Sequence, residues 1–165
     1  MTTSITRILV PMDFSAHANH GMDYATALAA RLGASIELLH VVEDPLLPAA
    51  SAEIYMPDLE ELRESLVEDA RRRLAACEAT IGGHGVPVVS VVRLGRPAFT
   101  IVEYATTVLP DLIVMGTRGR TGLAHMLMGS VAERVVRTAP CPVLTLRATV
   151  TDTATVPAGT THATA

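Results

Sequence analysis

The chain has 165 residues, of which 49% are hydrophobic but only 3% aromatic; that length suits one domain burying about two thirds of its unfolded surface. A formal charge of −4, no tryptophan, and Phe14 and Phe99 as the two phenylalanines exclude the basic surface and stacking platform that nucleic-acid binding needs. No apolar run reaches the ~18 residues of a membrane span, the start MTTSITRILVPMD lacks the features of a signal peptide, and Cys77 and Cys141 are too few for a disulfide framework or zinc site. A soluble, cytoplasmic protein with no membrane or nucleic-acid partner is expected.

In chain order, Arg7 to Met12 is a short apolar strand ended by Pro11 and Asp13. Asp13 or Ser15 can cap the helix that follows, whose apolar positions Met22, Ala25, Ala29 and Leu32 recur at three and four before Gly33 stops it. Ser35 to Val42 reads as the second strand, and Glu43 to Tyr55, with Pro45 and Pro48, as an irregular excursion. Pro57 and Asp58 open a long amphipathic helix, with Glu61 completing a capping box. Its expected inner face is Leu59, Leu62, Leu66, Ala70, Leu74, Cys77 and Ile81, it ends at Gly82-Gly83, and the charged run Glu68 to Arg73 belongs to its solvated face.

A third strand is expected over Val86 to Leu94, a helix over Pro97 to Val108 and a fourth strand over Asp111 to Met115. Ser130 to Thr138 is the last helix and Pro142 to Arg147 the fifth strand. This alternation implies an α/β fold with a parallel sheet covered on both faces by right-handed crossovers. The domain is expected over residues 1–148, and the Thr/Ala-rich stretch 149–165, without apolar periodicity, as a disordered tail.

The most informative stretch is Leu112 to Val131, LIVMGTRGRTGLAHMLMGSV. A β-branched strand runs into glycines at Gly116, Gly119 and Gly122, with Arg118 and Arg120 between them, and Gly129-Ser130 opens a helix. Glycine lets a ligand approach the backbone, a helix N-terminus offers unpaired N–H groups and a favourable dipole, and guanidinium groups pair with phosphate. A phosphate suits that combination. Several bland readings compete with it. The glycines serve a tight strand-to-helix connection, Ser130-x-x-Glu133 is itself a capping box, Arg118 and Arg120 are solvated charges, and Asp13 is an N-cap.

The spacing Gly116-x2-Gly119-x9-Gly129-Ser130 resembles the nucleotide-binding signature of the universal stress proteins, in the branch that binds ATP. ILVPMDFS (Ile8 to Ser15), ELLHVVED (Glu37 to Asp44) and APCPVLTLR (Ala139 to Arg147) resemble the same family in the same order. The resemblance implies a doubly wound, Rossmann-like five-stranded sheet of order 3-2-1-4-5, with ATP and magnesium as ligands. It also implies a homodimer, and the fifth strand is a short apolar edge that a partner edge would cover.

In open α/β sheets, ligands bind beyond the carboxyl ends of strands where the strand order reverses. The implied order puts that point between strands one and four, whose ends carry Pro11, Met12, Asp13, Met115 and Gly116. The expected ligand residues are these five with Val41, Arg118, Gly119, Gly129, Ser130 and Val131. Ser130 and Val131 would present N–H groups to phosphate, and Arg118, inside the first glycine pair, a guanidinium. Asp13 would repel phosphate, so its place is at a ribose hydroxyl or a magnesium-bound water. By the resemblance Val41 would offer main chain to the adenine edge, while Met12 and Met115 flank the base or merely fill core. His17 and His20, a helical turn apart, have no ligand partner at metal spacing, and His125 lies within the loop without a catalytic role.

The expected function is that of a nucleotide-dependent sensor or regulator in stress response. The alternatives are a slow magnesium-dependent ATPase and a dimeric scaffold that binds no nucleotide. No Walker GK[ST], nucleophile elbow or HIGH-type motif supports efficient catalysis. A phospho-receiver is rejected because the third strand ends Arg93-Leu94-Gly95 and the chain has no lysine. A Rossmann dehydrogenase is rejected because no glycine fingerprint follows the first strand.

Overall fold

The computed structural model describes residues 4–44, 57–117 and 128–147. Five strands alternate with four helices: β1 (Arg7–Met12), α1 (Ala16–Leu32), β2 (Ser35–Val42), α2 (Pro57–Gly82), β3 (Val88–Leu94), α3 (Pro97–Val108), β4 (Leu112–Gly116), α4 (Ser130–Thr138) and β5 (Val143–Leu146). Every strand pair is parallel and the order is β3-β2-β1-β4-β5. The expected doubly wound sheet is therefore present. No helix among the described residues is long and apolar enough to cross a membrane.

Side-chain alternation divides the core into two layers. Ile8, Val10, Ile36, Leu38 and Val114 face one way, onto Met22, Ala25 and Ala29 of α1 and Leu74 and Ile81 of α2. Leu9, Leu39, Val41, Ile113 and Met115 face the other, onto Ile101 and Ala105 of α3 and Ala132 and Val135 of α4. Five of the six β1 residues are buried because both faces of this central strand are covered. Tyr104 of α3 reaches across to donate a hydrogen bond to Glu37 of β2. Burial first, and then that bond, push its phenol up to about 12.

Element ends follow local chemistry. Ser15 is the N-cap of α1, its hydroxyl accepting from the Ala18 N–H at 3.1 Å. Gly33, at φ 68°, closes that helix in the left-handed conformation. β3 begins at Val88 rather than Val86: Pro87 has no N–H to enter the ladder, although its carbonyl accepts from Ile36 at 2.8 Å. β5 begins after Pro142 for the same reason, and the Pro142 carbonyl accepts from Ile113 at 3.0 Å. Asp111 lies just before β4: its N–H donates to the Arg7 carbonyl at 3.0 Å, and its carboxylate takes the Thr6 N–H and hydroxyl at 2.8 Å each and the Arg7 N–H at 2.9 Å.

Two expectations change. Leu62 and Leu66, expected on the inner face of α2, are 45% and 40% exposed. With 26 residues, α2 is roughly 39 Å long, while the seven residues of β3 rise only roughly 23 Å. Only the half from Ala70 onward has sheet to pack on, and the first half overhangs the carboxyl ends of the strands. Leu32, in the last turn of α1, is likewise 48% exposed. The capping of α2 falls at the border of the described residues, and stretches 45–56 and 149–165 lie outside them.

The packing of α1 explains one glycine outright. A Cβ on Gly116 would lie 2.7 Å from the His17 carbonyl oxygen, and one on Gly21 would lie 3.3 Å from the Gly116 nitrogen. Gly116→Ala is therefore expected to cost about 1–3 kcal/mol of stability through overpacking against backbone. Denaturant unfolding measures this, and an unchanged midpoint would mean that α1 yields freely.

The donors around Asp111, the Thr6 N–H foremost, hold its carboxyl below the usual carboxylate range. Its folded pKa is depressed, so the stabilisation is present above the unfolded value and lost as pH falls through the folded one. Asp111→Asn is expected to unfold at lower denaturant than wild type at neutral pH and to lose less stability on acidification. Equal acid sensitivity in both proteins would contradict this.

Candidate functional site

The β1–β4 ladder is short. β1 pairs with β2 along all six residues, but with β4 only at Ile8–Leu112 and Leu9–Ile113. Above Leu9 the two central strands part, and Pro11 in that stretch has no N–H to continue a ladder. A cleft of about 700 Å³ opens there, at the carboxyl ends of the strands where the winding reverses.

Pro11, Met12, Asp13, Val41, Met115, Gly116, Gly129, Ser130 and Val131 all line it. Four separate segments of the chain thus bring nine of the eleven expected residues to one cavity. Arg118 and Gly119 lie outside the described residues, as do Arg120, Gly122 and His125. The segment that carries them leaves and returns at one point: the Thr117 carbonyl accepts from the Gly129 N–H at 2.7 Å, and the Thr117 N–H donates to Leu146 at 2.9 Å. That exchange explains how glycines thirteen positions apart share a wall.

At α4 the expected cap is corrected. The N-cap is Gly129, not Ser130, and it has no side chain to cap with. Ser130 is the first helical residue, one place too late for the Ser130–Glu133 box, and Glu133 donates its N–H to the Gly129 carbonyl at 2.9 Å instead. The first-turn N–H groups of Ser130, Val131 and Ala132 have no intrahelical partner, and all three residues line the cleft. An anion at this end meets backbone donors and the positive end of the helix dipole.

Asp13 has a local duty as well. Its Oδ1 accepts from the Ser15 N–H at 3.0 Å, which shapes the turn from β1 into α1 while Ser15 itself caps the helix. Glu43 and Asp69 also line the cavity, so its described carboxylates are three, and Arg73 lines it as well. Among the described residues no group of three or more His, Cys, Asp or Glu stands ready to hold a metal ion. A divalent cation here would need further ligands from a bound molecule.

Sequence reading missed the wall on the α2 side. Phe14, His40, Asp69 and Arg73 line the cleft, as do Pro97 and Ile101 of α3. The Phe14 and His40 rings lie 4.5 Å apart, centroid to centroid, and His40 Nδ1 sits 2.6 Å from the Met12 carbonyl oxygen. The signal for His40 was its place beside Val41 at a strand end. For Arg73 the signal was hidden, because the charged run around it reads as solvated surface.

Comparison with known proteins decides the family. The model of the universal stress protein family matches residues 4–147. The chain belongs to the universal stress protein family. Universal stress protein MJ0531 of Methanocaldococcus jannaschii is 35% identical over 141 residues, covering 86% of this chain and 81% of its own. The solved structure of MJ0577 from the same organism superposes with a TM-score of 0.77 at 28% identity, covering 87% of this chain and 96% of its own. A universal stress protein from Archaeoglobus fulgidus, solved in complex with dAMP, superposes with a TM-score of 0.61 at 21% identity, covering 86% of this chain and 98% of its own.

Proposed function

We propose that this universal stress protein binds an adenine nucleotide, ATP with magnesium, in the cleft between β1 and β4, and that it works as a nucleotide-dependent sensor or regulator. The observation that carries the reading is the meeting of the α4 N-terminus, open to an anion, with the parted ends of β1 and β4 in one cavity of about 700 Å³. That volume is within the ordinary range for small-molecule sites. The Archaeoglobus fulgidus relative supports it at the level of the fold, which accommodates dAMP.

Phosphates would lie on the first-turn N–H groups of Ser130 and Val131, beside Gly116 and Gly129, with Arg118 and Gly119 as further phosphate contacts. Asp13 would take a ribose hydroxyl or a water of the magnesium ion that the phosphates carry. The main chain at Val41 would meet the adenine edge, with Met12 and Met115 against the base and Pro11 behind it. Three lining carboxylates oppose a bare polyanion, which is a physical reason for magnesium to accompany it. The half-buried edge strand β5 would pair with its copy in a homodimer.

Ser130→Glu separates binding from folding. Its carboxylate suits the first turn of α4, where the helix dipole favours negative charge, but repels a phosphate at the same place. In calorimetric titrations wild type is expected to bind MgATP saturably at about one per chain. The variant is expected to bind it roughly tenfold or more weakly, with unchanged affinity for adenosine and no loss of melting temperature. No saturable binding by wild type at millimolar MgATP would overturn the reading, and equal affinity in the variant would remove the phosphates from α4.

A further inference from the structure

Phe14 is a bulky residue in a conformation that favours glycine, with φ at 61°. Such a residue persists only where its surroundings over-determine it, and such residues gather at functional sites. Its surroundings here are specific. The Arg73 guanidinium carbon lies 3.9 Å from the centroid of the Phe14 ring, and the His40 ring lies 4.5 Å from it, tilted by 38°. His40 is in turn tied to the Met12 carbonyl. Three elements, α2, the β1–α1 turn and β2, thereby contribute one layer each to an Arg73–Phe14–His40 stack, and all three residues line the cleft.

Arg73 differs from its neighbours on α2. Arg63, Arg71 and Arg72 each reach a carboxylate within 4.0 Å: Arg63 pairs with Glu60 and Asp44, Arg71 with Glu68 and Arg72 with Asp69. Among the described residues Arg73 makes no such pair, although Asp69 stands one turn before it. Its guanidinium is spent on the ring of Phe14, an arrangement that a planar, weakly hydrated cation favours. Arg73 stands between the buried Ala70 and Leu74, where α2 reaches the sheet, and lines the cleft there.

We infer that Arg73 is a positioning residue for the nucleoside half of the ligand, holding the Phe14 ring against His40 as a fixed aromatic wall of the cleft. The inference rests on the nucleotide reading of that cleft. Arg73 acts through Phe14 and does not read phosphate charge. Loss of its grip lets the strained Phe14 turn leave its place, and the nucleoside then has to order the wall as it binds.

Arg73→Ala tests this, since alanine suits an exposed helical position. The variant is expected to bind MgATP and adenosine more weakly by the same factor, roughly three- to tenfold, with melting temperature unchanged. In a Phe14→Leu background the same substitution is expected to produce no further loss, because the two residues act as one unit. A loss confined to MgATP, or one that persists in full without Phe14, would make Arg73 a phosphate-reading cation and overturn the inference. Unchanged affinity for both ligands would overturn it too. Wild type binding neither ligand would instead sink the nucleotide reading, a result distinct from either.

Discussion

The contact between α1 and the end of β4 sets the geometry of the whole cleft. At Gly116 the strand meets helix backbone so closely that a single carbon would sit 2.7 Å from the His17 carbonyl oxygen. Gly21, on the facing turn of the helix, gives the same clearance from the other side. With α1 seated this deep, its N-cap Ser15 and the Asp13 turn are brought to the mouth of the gap where β1 and β4 part. A bulkier strand end would lift α1 away, and Asp13 and Phe14 with it. Gly116 thus answers first to packing, and any ligand approach it permits follows from a shape the fold already requires.

The two walls of the cleft have different physical characters. On the α4 side the surface is backbone: Gly129 withholds a capping side chain, and first-turn N–H groups remain to be satisfied. On the α2 side it is side chain, an arginine, a phenylalanine and a histidine stacked in series. A molecule with an anionic end and a flat aromatic end matches both walls at once, where inorganic phosphate or a purely apolar ligand would match one. The exchange of hydrogen bonds through Thr117 holds the first wall in register with β4 and β5.

The parallel sheet was legible because its strands are buried on both faces and read as short apolar runs, with glycine, proline and serine marking the boundaries. Strand starts shifted by a residue or two where proline withheld a donor, as at Pro87 and Pro142, and β4 and β5 end one residue from the expected places, at Gly116 and Leu146. That the residues at the strand ends line one crevice was legible too, because spacing and topology lead to the same place. Arg73 was not. Helical periodicity assigns a face but cannot tell that a charged stretch passes a cavity just where α2 reaches the sheet. The Ser130 cap was misplaced because Gly129, which caps with backbone alone, leaves the pattern of a capping box intact one residue further on.

Backbone amide shifts recorded while MgATP is added to the full chain test the central claim most directly, that one crevice between β1 and β4 receives the nucleotide. The largest changes are expected at Asp13, Val41, Gly116 and Gly129 to Val131, with Ser35, Val88 and Asp111 at the opposite ends of the strands unmoved. Changes centred on those opposite ends, or none at saturating ligand, would contradict it.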